Sequence, residues 1–166
     1  HDKGVKTFLG KEGQFDGIDI INMIMEQPRV SEYLAEKLWR EFISEDLKKL
    51  EIKGLAKIIR DSNYNLKPMM KALFMSDSFQ DPKNRGILIK SPVELTIGTL
   101  RLLGLNPPEL KRVHFHQKRS GQDIFQPPDV KGWRTGKAWI SSTTTLNRAS
   151  FLKAVSVGFM KYKKSN

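Results

Sequence analysis

Apolar residues return at intervals of three and four along most of this chain, and that spacing commits it to helices. Val30, Leu34, Leu38 and Phe42 recur every four residues, with Tyr33, Ala35 and Trp39 beside them. The pattern predicts an amphipathic helix that opens at Pro28, where a missing amide costs nothing, and runs to about Ile43. Ile18, Ile21, Ile24 and Met25 follow Asp16 in the same way, so a helix is expected from Gly17 to Gln27 with Asp16 as its cap. Further helices are expected over 46–60 (Leu47, Leu50, Leu55, Ile58 and Ile59 inward) and over 66–75. Gly54 in the first of these suggests close packing. Ser91-Pro92-Val93-Glu94 is a capping box with Pro at the first helical position. The run behind it, to Leu103, has only Glu94 and Arg101 as charges and reads as a central helix. Gly104 supplies its stop.

Two helices complete the reading. One covers 109–119. The last is capped within 141–145, and Leu146, Ala149, Leu152, Val155 and Phe159 are its expected inner stripe. A short strand or an extended arm is expected at 5–9 between Gly4 and Gly10. The fold expected is therefore all-α, a single helical domain over 1–166. It is an irregular bundle of about five to seven helices with a long ordered Gly/Pro/Trp-containing loop before the last one.

That loop, Gly121 to Ile140, is the segment that cannot be helical. Pro127 and Pro128 fix φ and remove two donors, while Gly121, Gly132 and Gly136 allow unusual backbone. A loop this long inside a compact domain is usually functional or disordered. Its content of Ile124, Phe125, Val130, Trp133, Trp139 and Ile140 argues for order. Trp133 and Trp139 stand six residues apart with Lys131, Arg134 and Lys137 interleaved. Either the aromatics plug a core or they form a rim with the cations. On the second reading the binding residues are Gln122, Lys131, Trp133, Arg134, Lys137 and Trp139.

Charge points the same way. Of a net +11, residues 106–166 carry +9, with 12 Lys/Arg against 3 Asp/Glu. Such a segment suits an anionic partner, either a polymer or an acidic protein surface. With no cysteine, thiolate metal sites, disulfides and thiol nucleophiles are excluded. No run of 18 apolar residues suggests a membrane span, and no cofactor motif such as GxGxxG, a P-loop, GxSxG or HExxH is present. His114 and His116 would share a face on a strand but diverge on a helix, so no metal is expected. Asp16 and Asp19 read as helix caps rather than ligands. The chain begins at His1 rather than Met, as an excised or processed piece would.

Five blocks together identify a resemblance: His1–Gly10 (HDKGVKTFLG), Phe15–Ile20 (FDGIDI), Tyr33–Phe42 (YLAEKLWREF), Asn84–Leu95 (NRGILIKSPVEL), and GQDIFQPPDVKGW continuing through AWI to Ile140. They resemble the C-terminal part of the bacterial domain of unknown function 1800 family. The resemblance implies helical character, a larger parent protein and an exported or cell-envelope location. It brings no catalytic residues. This chain departs from the family pattern at Asp129, where Asn is usual, and at Arg134-Thr135, where the family is Pro-Gly-rich.

Three functions follow as expectations. The first is a binding or interaction module for an anionic or saccharide-bearing partner, working through the 121–140 loop. The second is a fragment of an envelope-associated enzyme, in which Asp123 and Asp129, with His1 or Asp2, line a cleft completed by the rest of a parent chain. The third is a nucleic-acid binder, which the absence of a recognition-helix or RNP pattern disfavours.

Overall fold

A computed structural model describes residues 2–106, 109–157 and the backbone of 163–164. About 61% of it is helix and 5% strand, so the all-α expectation holds. Seven helices of nine or more residues and one of four are present among the described residues. The chain divides into two compact units, His1–Leu88 and Ile89–Asn166.

The first unit opens with a hairpin rather than a lone strand. β1 (Lys6–Phe8) pairs antiparallel with β2 (Lys11–Gly13), Phe8 opposite Lys11. The two-residue turn between them, Leu9-Gly10, has both φ positive, at 49° and 78°, which matches the twist of a tight hairpin. α1 (Gly17–Glu26) begins as expected. The Asp16 carboxylate accepts from the amides of Ile18 (2.8 Å) and Asp19 (3.0 Å), and Asp19 accepts in return from the Asp16 amide (2.9 Å). These acids are spent on capping. α2 (Pro28–Phe42), α3 (Lys49–Asp61) and α4 (Leu66–Phe74) then stack in sequence, α2 on α3 and α3 on α4.

The core of this unit lies between α2, α3 and α4, around Trp39, Ile43, Ile59, Met69 and Leu73. The buried line of α2 is Ser31, Ala35 and Trp39, one residue later than the large-aliphatic stripe read from the sequence; Phe42 at its end is partly exposed. Small side chains at Ser31 and Ala35 let the α3 backbone come close, and Leu34 and Leu38 pack to the sides. α3 starts three residues later than expected because Asp46 is held in the preceding turn. Its amide donates to Ser44 Oγ, and its carbonyl accepts from the Trp39 indole at 3.0 Å. A Cβ built on Gly54 meets nothing within 4 Å, so close packing is not what keeps glycine there. The polar connection at 77–86 contains a four-residue helix, α5 (Asp77–Gln80), and a 3₁₀ turn at Pro82–Asn84.

The second unit holds α6 (Pro92–Leu102), α7 (Leu110–Arg119) and α8 (Ser142–Ser156), with a two-residue pairing of β3 (Leu105–Asn106) and β4 (Lys163–Lys164). The capping box forms as read: Ser91 Oγ accepts from the Glu94 amide and Glu94 Oε2 from the Ser91 amide. Gly104 closes the helix with φ +61°. Among the described residues its apolar centre is built on Leu100, Val113 and Phe151, with Ile97, Leu105, Ala154 and Val155 packed against it. A buried polar contact joins it, Gln117 Nε2 donating to Thr96 Oγ1 at 2.8 Å. On α8 the expected stripe is displaced. Asn147 and Phe151 are buried, Leu146 is 68% exposed, Ala149 and Leu152 are also exposed, and of that stripe Val155 alone turns partly inward. Asn147 goes inward because its amide donates to the Arg119 carbonyl at the end of α7, at 2.6 Å. Phe159 lies outside the described residues.

Candidate functional site

The 121–140 loop leaves α7 and enters α8, and it is pinned at both ends. Gly121 takes φ +98°, and the Trp139 indole packs 3.7 Å from where a side chain would start there. The next residue, Gln122, accepts from the Val93 amide at 2.9 Å through Oε1, so it serves the exposed first turn of α6. At the other end, Gly136–Trp139 forms a 3₁₀ turn and the Trp139 carbonyl accepts from Thr144 Oγ1 at 2.8 Å. Thr144 and Ser141 then close a capping box on α8. Trp139 is only 5% exposed. Two of the six residues read as a binding set therefore act otherwise: Trp139 is a core plug, and Gln122 is a cap on a neighbouring helix.

Between the pins the chain faces water. Phe125 is 92% exposed with φ +65°, and Val130 is fully exposed. Asp129 Oδ1 accepts from the Lys131 amide at 2.7 Å and its carbonyl from the Gly132 amide, an Asx turn that places Gly132 at φ +88°. Lys131, Arg134 and Lys137 are exposed on either side of Trp133. Trp133 itself is half-buried, and its Nε1 is enclosed with no acceptor among the described residues.

Asp123 is a salt-bridge residue. Its two oxygens meet His114 Nε2 at 3.2 Å and Lys118 Nζ at 2.8 Å. His116, two positions on, lies edge-on to Phe151 at 5.4 Å between ring centres. Burial, and then the charge of Arg119, hold its pKa below the ordinary histidine value. The two histidines are thus divided between a carboxylate and an aromatic, as their helical spacing requires. Among the described residues no group of three or more His, Asp or Glu is placed to hold a metal ion. Asp2 accepts from the Gly4 amide, and His1 lies outside the described residues.

One cationic surface was not singled out in the sequence. α7 buries Val113 and Gln117 and turns Lys111, Arg112, Phe115, Lys118 and Arg119 outward. An angular count at 100° per residue over 110–119 would have revealed it. The whole unit 89–166 carries 14 Lys/Arg against 4 Asp/Glu, a net +10, whereas 1–88 carries 15 against 14. Among the described residues no helix is long and apolar enough to cross a membrane.

Among curated proteins and among solved structures no match is found. The family model for the proteins of unknown function DUF1800 matches residues 1–165, and this chain belongs to that family.

Proposed function

We propose that residues 89–166 form a binding module for an anionic partner, a polymer or an acidic protein surface, and that the 121–140 loop is its contact rim. The observation that carries this is the use of the four carboxylates. Glu94 closes a helix cap, Glu109 pairs with Arg112, Asp123 pairs with Lys118 and His114, and Asp129 holds a turn. They are tied locally and leave a large positive excess over the unit. Lys131, Trp133, Arg134 and Lys137 are the rim residues; the fixed turns around Asp129 and Gly136 hold them in place. An aromatic flanked by cations suits a sugar ring or a planar group bearing negative charge. The engagement of both Asp123 oxygens speaks against its use with Asp129 as an acid–base pair.

The test is retention on an anionic resin, such as heparin, as salt is raised. Exposed charges are screened beyond about 10 Å at 0.1 M salt, so retention should fall steeply. Reversing Lys131, Arg134 and Lys137 to Glu should weaken retention far more than reversing Lys49, Lys53 and Lys67, three exposed lysines of the first unit. Equal losses from the two triple variants would mean that net charge alone governs retention, and the rim reading would be abandoned.

A further inference from the structure

We propose that the outer face of α7 is a docking surface for single-stranded nucleic acid, with Phe115 as the platform on which a base stacks. None of its residues lies in 121–140, although Lys118 pairs with Asp123 of that loop and Arg112 with Glu109. At about 100° per residue, Lys111 and Arg119 fall within about 40° of Phe115 around the helix, and Arg112 and Lys118 within about 60°. All four cations of the helix therefore surround one aromatic. Val113 and Gln117, buried on the opposite side, fix that presentation. Phe115 is 52% exposed, and the Arg119 guanidinium lies over its ring at 5.3 Å.

The composition of the face selects the partner. At about 1.5 Å per residue the basic pairs 111/112 and 118/119 lie about 10 Å apart along the axis, with Phe115 midway. Phosphates follow one another at about 3.4 Å along a stacked strand, so a few nucleotides bridge the two pairs. Aromatic and guanidinium planes are the surfaces on which unpaired bases stack, and cations track the backbone beside them. A bilayer-seeking helix needs an apolar stripe opposite its charges, whereas this face offers a single ring. A partner recognised by charge alone gives that ring nothing to do.

The test uses the whole chain, a labelled oligodeoxythymidylate, inorganic polyphosphate and phosphatidylserine vesicles. Lys111 and Arg119 meet phosphates directly, and Arg112 and Lys118 by exchanging their carboxylate partners, so log affinity for the oligonucleotide should fall against log salt with a slope between about −1.4 and −3. Phe115→Ala should weaken oligonucleotide binding by about 5- to 150-fold and leave polyphosphate binding unchanged. Phe115→Leu, which keeps apolar bulk and helix propensity, should lose as much as alanine, whereas Phe115→Trp should retain binding. Helicity and melting temperature of each variant establish that it is folded; the leucine variant decides the question if alanine is not. Full binding by Phe115→Leu, equal losses toward polyphosphate, or vesicle binding that depends on Phe115 without oligonucleotide binding would each overturn the proposal.

Discussion

Trp39 and Trp133 put the same side chain in opposite situations. Trp39 is fully buried and its indole N–H has an acceptor in the Asp46 carbonyl. Trp133 is half-buried and its indole N–H is enclosed with no acceptor among the described residues. Replacing Trp39 leaves the Asp46 carbonyl without its donor, whereas a half-buried indole keeps most of its packing as phenylalanine. Trp39→Phe should lower unfolding stability by about 2 kcal/mol or more, and Trp133→Phe should change it by less than about 1 kcal/mol. Urea denaturation of both variants checks the difference. A second expectation concerns His116. Its pKa is depressed in the fold, first by burial and then by Arg119, so the unfolded chain takes up the proton first. Its stability contribution is complete above about pH 6.5 and is lost as pH falls through the lower folded value. Urea midpoints from about pH 7.5 down to pH 5 should therefore decline, and the decline should be shallower in His116→Gln. The sequence displayed these residue types but not their surroundings. Whether an indole is a plug or a rim depends on contacts made by Gly121 and Thr144, which periodicity does not encode.

Helix starts were legible because caps are local chemistry. Asp16, Asn65, Ser91 and Ser141 each bond an amide within three residues, so the bases of α1, α4, α6 and α8 were readable. Helix faces were less so. On α2 and α8 the buried line sits one residue from the large aliphatics, at Ala35 and Asn147, because close approach and an interhelical hydrogen bond decide burial there. α1 shows the same limit: its isoleucine stripe is exposed, and Met23 is its buried residue. Gly54 was read as a packing device on α3, yet a methyl group there meets open space. Gly54→Ala should therefore stabilise the first unit by about 1 kcal/mol through helix propensity alone, seen as a higher urea midpoint with an unchanged slope. A destabilised variant would mean that α3 needs glycine's backbone freedom.

The two units differ in core and in charge. Among the described residues, 1–88 organise nine buried apolar side chains into one cluster and 89–166 three; by sequence the first unit is nearly neutral and the second carries +10. Fewer buried contacts and more self-repulsion favour local opening. Amide exchange in α2, α3 and α4 should accordingly be slower than in α6, α7 and α8, and adding salt should slow the second group more. Equal protection in both groups would contradict this. The charge contrast was legible in the sequence, since it needs only counting, whereas the unequal cores were not, because Leu102, Leu103 and Leu146 look like core and are exposed. Within the first unit, one arrangement bears on rates. Arg60 donates to the Glu26 and Gln27 carbonyls and to Ser31 Oγ, and Tyr64 donates to the Met25 carbonyl at 2.5 Å. These bonds join the end of α3 to the α1–α2 corner across more than 28 residues of chain. Contacts that close such long loops form after the helices they connect. The corner therefore works as a latch: it contributes little to how quickly this unit assembles and much to how long it stays shut.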